Sequence, residues 1–192
     1  LVLALTDQVL ENVVADLGTL LRERPLYVSV NLSARDVAST RVLELAQRLL
    51  GAASIPAERI AFEATERGFA EAASAREALR RYRGAGHRIL IDDFGTGYSS
   101  LSQLQSFEVD AIKIDKSFVD AIGSDAATRS VVPHIIAMAK ELGLELVAEG
   151  VETDVQSRYL RERGVQYGQG WLFGKPMPAG DFVRYVENQA GT

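Results

Sequence analysis

The chain has 192 residues, 47% apolar and 24% charged, which is ordinary globular usage and excludes disordered, collagen-like and low-complexity sequences. Its 26 acidic and 21 basic residues give a net charge of −5, the wrong sign for holding a nucleic-acid polymer by its phosphates. With no cysteine and only His87 and His134, it has no disulfides, thiolate metal sites or cysteine nucleophiles, and a His-rich zinc site is not expected. No apolar run nears the ~18 residues that span a bilayer, and no signal peptide opens the chain, so a reducing, cytoplasmic setting is expected. The first residue is Leu1 rather than Met, and the sequence reads as a piece of a longer polypeptide.

The opening pattern is helical. Val9, Leu10, Val13, Val14, Leu17, Leu20 and Leu21 recur at spacings of three and four, and Pro25 ends the run. Leu26–Leu32 then reads as a strand, and a helix carrying Val37, Leu43, Leu45, Leu49 and Leu50 follows, with Gly51 near its end. Further strands are predicted at 59–65, 88–92, 111–115, 144–149 and 167–173, with helical patterns between most of them. The clearest of these helices spans Val131 to Leu142 and is stopped by Gly143. Strand starts recur roughly every 28 residues, the length of a strand with its crossover helix, so the sheet is expected to be parallel. No linker or composition shift divides residues 1–192, and one domain is expected.

Polar residues close nearly every predicted strand: Asn31, Glu63, Asp92 with Asp93, Lys113 with Asp115, Glu149 and Gln169. An open doubly wound sheet collects its site at one switch point, whereas a (β/α)8 barrel draws it from the carboxyl ends of many strands. The pattern fits a barrel showing six of its eight units, with roughly 50 residues missing ahead of Leu1. Asp92-Asp93 before Phe94-Gly-Thr-Gly97 could be simple turn chemistry. Several carboxylates on one rim, however, repel one another unless cations neutralise them. Oxygen-only donors favour magnesium or manganese, and a bridging carboxylate with another beside it suits a two-metal site for displacement at phosphorus. Lys113, inside a strand, reads either as a buried ion-pair partner or as the group that positions water or stabilises charge on a phosphate oxygen. Asp115 could cap a helix, and Glu152 could brace a loop or begin the next helix. Both histidines are expected to be structural.

Taken in order, Ser29-Val-Asn-Leu-Ser33, Glu63-Ala-Thr-Glu66, Ile91-Asp-Asp-Phe-Gly-Thr-Gly-Tyr-Ser-Ser-Leu101, Lys113-Ile-Asp115, Ala148-Glu-Gly-Val-Glu-Thr153 and Gln169-Gly-Trp-Leu-Phe173 with Pro176 strongly resemble the EAL-domain family, the bacterial cyclic-di-GMP phosphodiesterases. The resemblance implies a modified (β/α)8 TIM-type barrel, N-terminally truncated here, that hydrolyses cyclic di-GMP to linear pGpG. It implies that Asn31 and Glu63 bind a first Mg²⁺ or Mn²⁺, that Asp92 bridges to a second, and that Asp93 and Glu149 complete the second site. Asp92, Lys113 and Glu149 would be the catalytic set, with Lys113 positioning the attacking water. Gln169 and Asp115 would lie on the substrate side, and Glu66 and Glu152 would hold the loop Phe94–Ser100. A homodimer, sensory domains in the parent protein and membrane anchoring of that parent follow by the same resemblance. The Glu-Ala-Leu motif that names the family, with its nearby phosphate-binding Arg, belongs to the part that strand counting places ahead of Leu1. Ala64, and Trp171 where the family usually has Tyr, are smaller departures. Two other readings stay open. One is a non-catalytic cyclic-di-GMP receptor, and the other a one-metal enzyme using Lys113 as a base to enolise a carboxylate substrate.

Overall fold

The computed structural model describes residues 2–65, 75–95, 107–123 and 131–189, and these fall into two compact units. The first comprises residues up to 63, 71–88 and from 176 onward; the second comprises 64–70 and 89–175.

In the first unit, α1 (Val2–Glu23) buries Leu10, Leu20 and Leu21 and half-buries Val13, Val14 and Leu17, as their spacing predicts, while Val9, expected on the same face, is 37% exposed. It ends two residues before Pro25. Strands β1 (Val28–Asn31) and β2 (Ile60–Thr65) pair in parallel from Val28 opposite Ile60 to Asn31 opposite Glu63. The segment between them was expected to be one helix from Val37 to Leu50. It is two, α2 (Ala34–Val37) and α3 (Arg41–Ala53). A capping box starts α2: Ser33 Oγ accepts from the Asp36 N–H, while Asp36 Oδ2 accepts from the Ser33 N–H at 3.0 Å and from Ser33 Oγ at 2.6 Å. Asp36 is fully buried, a costly place for a carboxylate unless its lone pairs are met. Thr6 on α1 donates to it at 3.1 Å, and Arg41, which also pairs with Asp7, lies 3.4 Å away. A short 3₁₀ turn (Ala57–Arg59) leads into β2, and α4 (Ala75–Gly84) leads towards β3.

His87, just before β3 (Arg88–Phe94), is buried with Phe62 and Tyr82. The Phe62 ring stands edge-on to Tyr82 at 4.8 Å and to His87 at 4.9 Å. His87 Nδ1–H donates to the Ile60 carbonyl at 3.0 Å, the structural role expected of it. His134, by contrast, is exposed on a helix of the second unit.

The second unit is a run of parallel strands in the order β3, β4 (Ala111–Ile114), β5 (Glu145–Ala148) and β6 (Tyr167–Gly168). Helices α5 (Lys116–Asp120), α6 (Val132–Leu142) and α7 (Asp154–Glu162) connect them among the described residues. Gly143 closes α6 at φ 67°, as its place in the sequence predicts. The expected strand over 167–173 is cut to two residues. Here the chain crosses so close to Val151 that a Cβ at Gly170 would lie 2.2 Å from the Val151 carbonyl oxygen. Leu172 N–H then donates to that oxygen instead of continuing a ladder. Helix α8 (Ala179–Gln189) lies against α1 in the first unit.

Burial holds the pKa of His87 below its ordinary value, against the pull of its backbone hydrogen bonds. The unfolded chain therefore takes up a proton before the folded one does, and stability is lost as pH falls below about 6.5. Urea unfolding between about pH 7.5 and 5.5 should show a falling midpoint. In His87→Gln, which keeps a donor for Ile60, that part of the slope should disappear.

Candidate active site

The second unit brings four of the predicted residues together. Asp92, Asp93 and Glu149 each present one carboxylate oxygen, and the three oxygens lie within 4.8 Å of one another. Lys113, only 4% exposed, joins them: its Nζ is 2.5 Å from Glu149 Oε1 and 3.1 Å from Asp92 Oδ1. A lysine so buried is unfavourable unless paired, and here it is paired twice.

Strand geometry alone would not put Asp92 and Asp93 on one side, because successive side chains alternate. β3 solves this with an irregularity. Ile91 pairs with Ile112, but the next matched pair is Phe94 with Ile114, so β3 spends one residue more than β4 over the same span. Asp93 takes up the difference at φ 54°, left-handed backbone that residues other than glycine rarely adopt, and its N–H donates to Asp92 Oδ1 at 3.0 Å. The pKa of Asp93 is raised first by partial loss of water around it. The negative charges of Asp92 and Asp115 raise it further, and Lys113 partly offsets them. Three clustered carboxylates form an oxygen-only donor set of the kind that a hard divalent cation takes.

Glu149 sits one residue beyond β5, its N–H donating to the Ile114 carbonyl at 3.0 Å. Gln169, one residue beyond β6, is exposed; its backbone donates to the Ala148 carbonyl and accepts from Val151. Asp115 is the N-cap of α5, accepting from the Ser117 N–H at 3.0 Å. Glu152 lies 2.8 Å from Lys116 Nζ. In the first unit, Asn31 is exposed at the end of β1 and stands directly opposite Glu63, which is 4% exposed. Glu66 and residues 96–100 of the loop Phe94–Ser100 lie outside the described residues. A literal Glu77-Ala78-Leu79 run occurs on α4. There Glu77 is exposed and lies 3.5 Å from Arg81 one turn on, while Leu79 is core, so the run is helix face rather than strand-end chemistry.

Two residues that sequence reasoning passed over also shape the site. Lys116 reaches Asp120 at 2.9 Å as well as Glu152, and both carboxylates raise its pKa. Gln156, buried on α7, accepts from the backbone of Glu152 and Thr153. The Thr153-x-x-Gln156 spacing is a capping-box signature that could have revealed Gln156. Nothing in the local pattern singles out Lys116.

Parallel strands presenting carboxylates and a lysine at their carboxyl ends define an α/β protein of the (β/α)8 class with a carboxylate-rich rim. The EAL-domain family matches residues 1–176, and the chain belongs to that family. PdeB of Escherichia coli (strain K12) is 46% identical over 184 residues, covering 95% of this chain and 35% of PdeB. The cyclic di-GMP phosphodiesterase PdeR of the same organism is 39% identical over 163 residues, covering 84% of this chain and 25% of PdeR. The chain thus spans about a third or less of the length of these two relatives. A solved structure described as PaMucR phosphodiesterase in complex with c-di-GMP superimposes with a TM-score of 0.86 at 32% identity. It covers 94% of this chain and 74% of the other. No described helix is long and apolar enough to cross a membrane.

The left-handed Asp93 makes a separable prediction. Asn tolerates this backbone and Ala does not, so Asp93→Ala should lose roughly 1 kcal/mol more than Asp93→Asn in urea unfolding, although both remove the same charge.

Proposed function

We propose that the chain is one EAL-type domain, residues 1–192, that hydrolyses one phosphodiester bond of cyclic di-GMP to give linear pGpG. The observation that carries this reading is the convergence of Asp92, Asp93 and Glu149 with the buried Lys113. Family membership and the c-di-GMP complex of a similar structure support it. Mg²⁺ or Mn²⁺, two per site, fit the oxygen-only donors. When bound, they would supply activated water and neutralise charge at phosphorus. By the family's motif order, Asn31 and Glu63 would hold one ion, Asp93 and Glu149 the other, with Asp92 serving both.

The chain's own residues then have distinct tasks. The carboxylates fix the direction from which water attacks. The Lys113 ammonium orients that water and stabilises negative charge growing on a phosphate oxygen, which in a partly buried site is worth more than in bulk water. A bond forms between the water oxygen and phosphorus, the bond from phosphorus to the ribose 3′ oxygen breaks, and the 3′ oxygen leaves with a proton. By the same motif order, Gln169 and Asp115 would lie on the substrate side, and Glu66 and Glu152 would hold the loop Phe94–Ser100. The intact protein works as a homodimer in the cytoplasm with sensory domains attached, in a membrane-anchored parent.

A second reading is a receptor that binds cyclic di-GMP without cleaving it. Incubating the intact protein with cyclic di-GMP and Mn²⁺, and following pGpG by chromatography, separates the two. Product formation supports hydrolysis, and binding without product selects the receptor. Mg²⁺ should support turnover and Ca²⁺ should support far less, because its longer, looser bonds misplace the water. Asp92→Asn should cut turnover by about 10²–10³ or more with the fold intact; activity that falls only as the variant unfolds would make Asp92 structural.

A further inference from the structure

Glu149 lies one residue beyond β5, its N–H donating to the Ile114 carbonyl and its carboxylate meeting Lys113 Nζ at 2.5 Å, so the path of the segment after it shares with Lys113 in setting where that carboxylate points. That segment is held from α5. Gly150 has φ 65°, and a Cβ there would lie 2.3 Å from Lys116 Cγ, 2.6 Å from Cδ and 2.8 Å from Cβ. Only glycine lets the lysine stem cross the chain at this point. Beyond the crossing, Lys116 Nζ is 2.8 Å from Glu152 and 2.9 Å from Asp120, so one side chain clasps the loop and its own helix together. A second tie runs parallel to it. Gln156 Oε1 accepts from the N–H groups of Glu152 at 2.8 Å and Thr153 at 2.9 Å, and its Nε2 donates to the Val119 carbonyl of α5 at 3.3 Å. The base of the clasp is fixed as well. Asp115 caps α5 immediately after Ile114, so Lys116 begins its helix in register with the strand that carries Lys113.

We propose that Lys116 is a positioning residue for Glu149, strapping residues 150–152 to the start of α5 so that the Glu149 carboxylate stays beside Asp92 and Asp93. This rests on Glu149 being a metal ligand, as read above. An exposed ion pair contributes little to folding, so its worth lies in aim rather than in stability. Partners that orient a ligand from outside typically change metal affinity by about 10–100-fold when removed.

The test is Mn²⁺ binding to the intact protein by titration calorimetry, with thermal unfolding measured on the same samples. Lys116→Ala should weaken Mn²⁺ binding about tenfold while the unfolding midpoint stays within about 2 °C. Lys116→Arg, which keeps a charged stem, should restore binding to within about twofold of the parent. Asp92→Asn serves as the control for the site itself. If Asp92→Asn loses affinity and Lys116→Ala does not, the strap is wrong and the metal reading stands. If Asp92→Asn binds as well as the parent, the metal reading fails and the strap falls with it. A loss in Lys116→Ala that follows a lowered midpoint and is not rescued by Arg makes Lys116 part of the fold only, and overturns the proposal.

Discussion

Lys113 in β4 holds its ammonium between Asp92 of β3 and Glu149 beyond β5, at 4% exposure, and much of the second unit is arranged to make that burial tolerable. A buried ammonium without partners would be driven to lose its proton, and a trio of close carboxylates without a cation would repel itself apart. Each is the other's solution. The pairing also ties three adjacent strands at one end, because its members come from the middle strand and from both of its neighbours. The cost is local: β3 gives up its regular register and Asp93 accepts left-handed backbone so that two adjacent carboxylates share a side.

The first unit meets the same problem with a different solution. Asp36 is as deeply buried as any core residue, and hydroxyl, amide and guanidinium donors from α1, α2 and α3 converge on it. There the charge is saturated by neighbours and knits helices together. At the Asp92 cluster three carboxylates gather around one buried lysine among the described residues. A buried charge met on all sides organises a fold, whereas clustered carboxylates at the ends of parallel strands offer oxygen donors that a cation could take.

Around the cluster, glycine and backbone capping set what the strand ends can do. Gly150 is needed for its left-handed turn and for the passage of Lys116, and Gly170 for the close crossing of Val151. Both follow directly on residues of the candidate site, Glu149 and Gln169. The chain can leave a strand sharply there only because these two positions carry no side chain.

The strands, their parallel order and the residue types at their ends were legible in the sequence. Hydrophobic periodicity and the spacing of polar residues reflect which positions must be dry, and that is a one-dimensional property. The six ordered motifs carried the family in the same way. Other features were not legible, because they depend on what meets across elements. The burial of Asp36 is met by Thr6, thirty residues away, a partner no local window contains. The truncation of β6 follows from Val151 occupying the space beside Gly170. The period-two rule sends Asp92 and Asp93 to opposite faces, and only the mismatch with β4 turns them to the same one. The residue types for the chemistry were thus written in order along the chain. Whether their oxygens meet within reach of one cation was decided by register, bulge and loop anchoring, which exist only once the strands have paired.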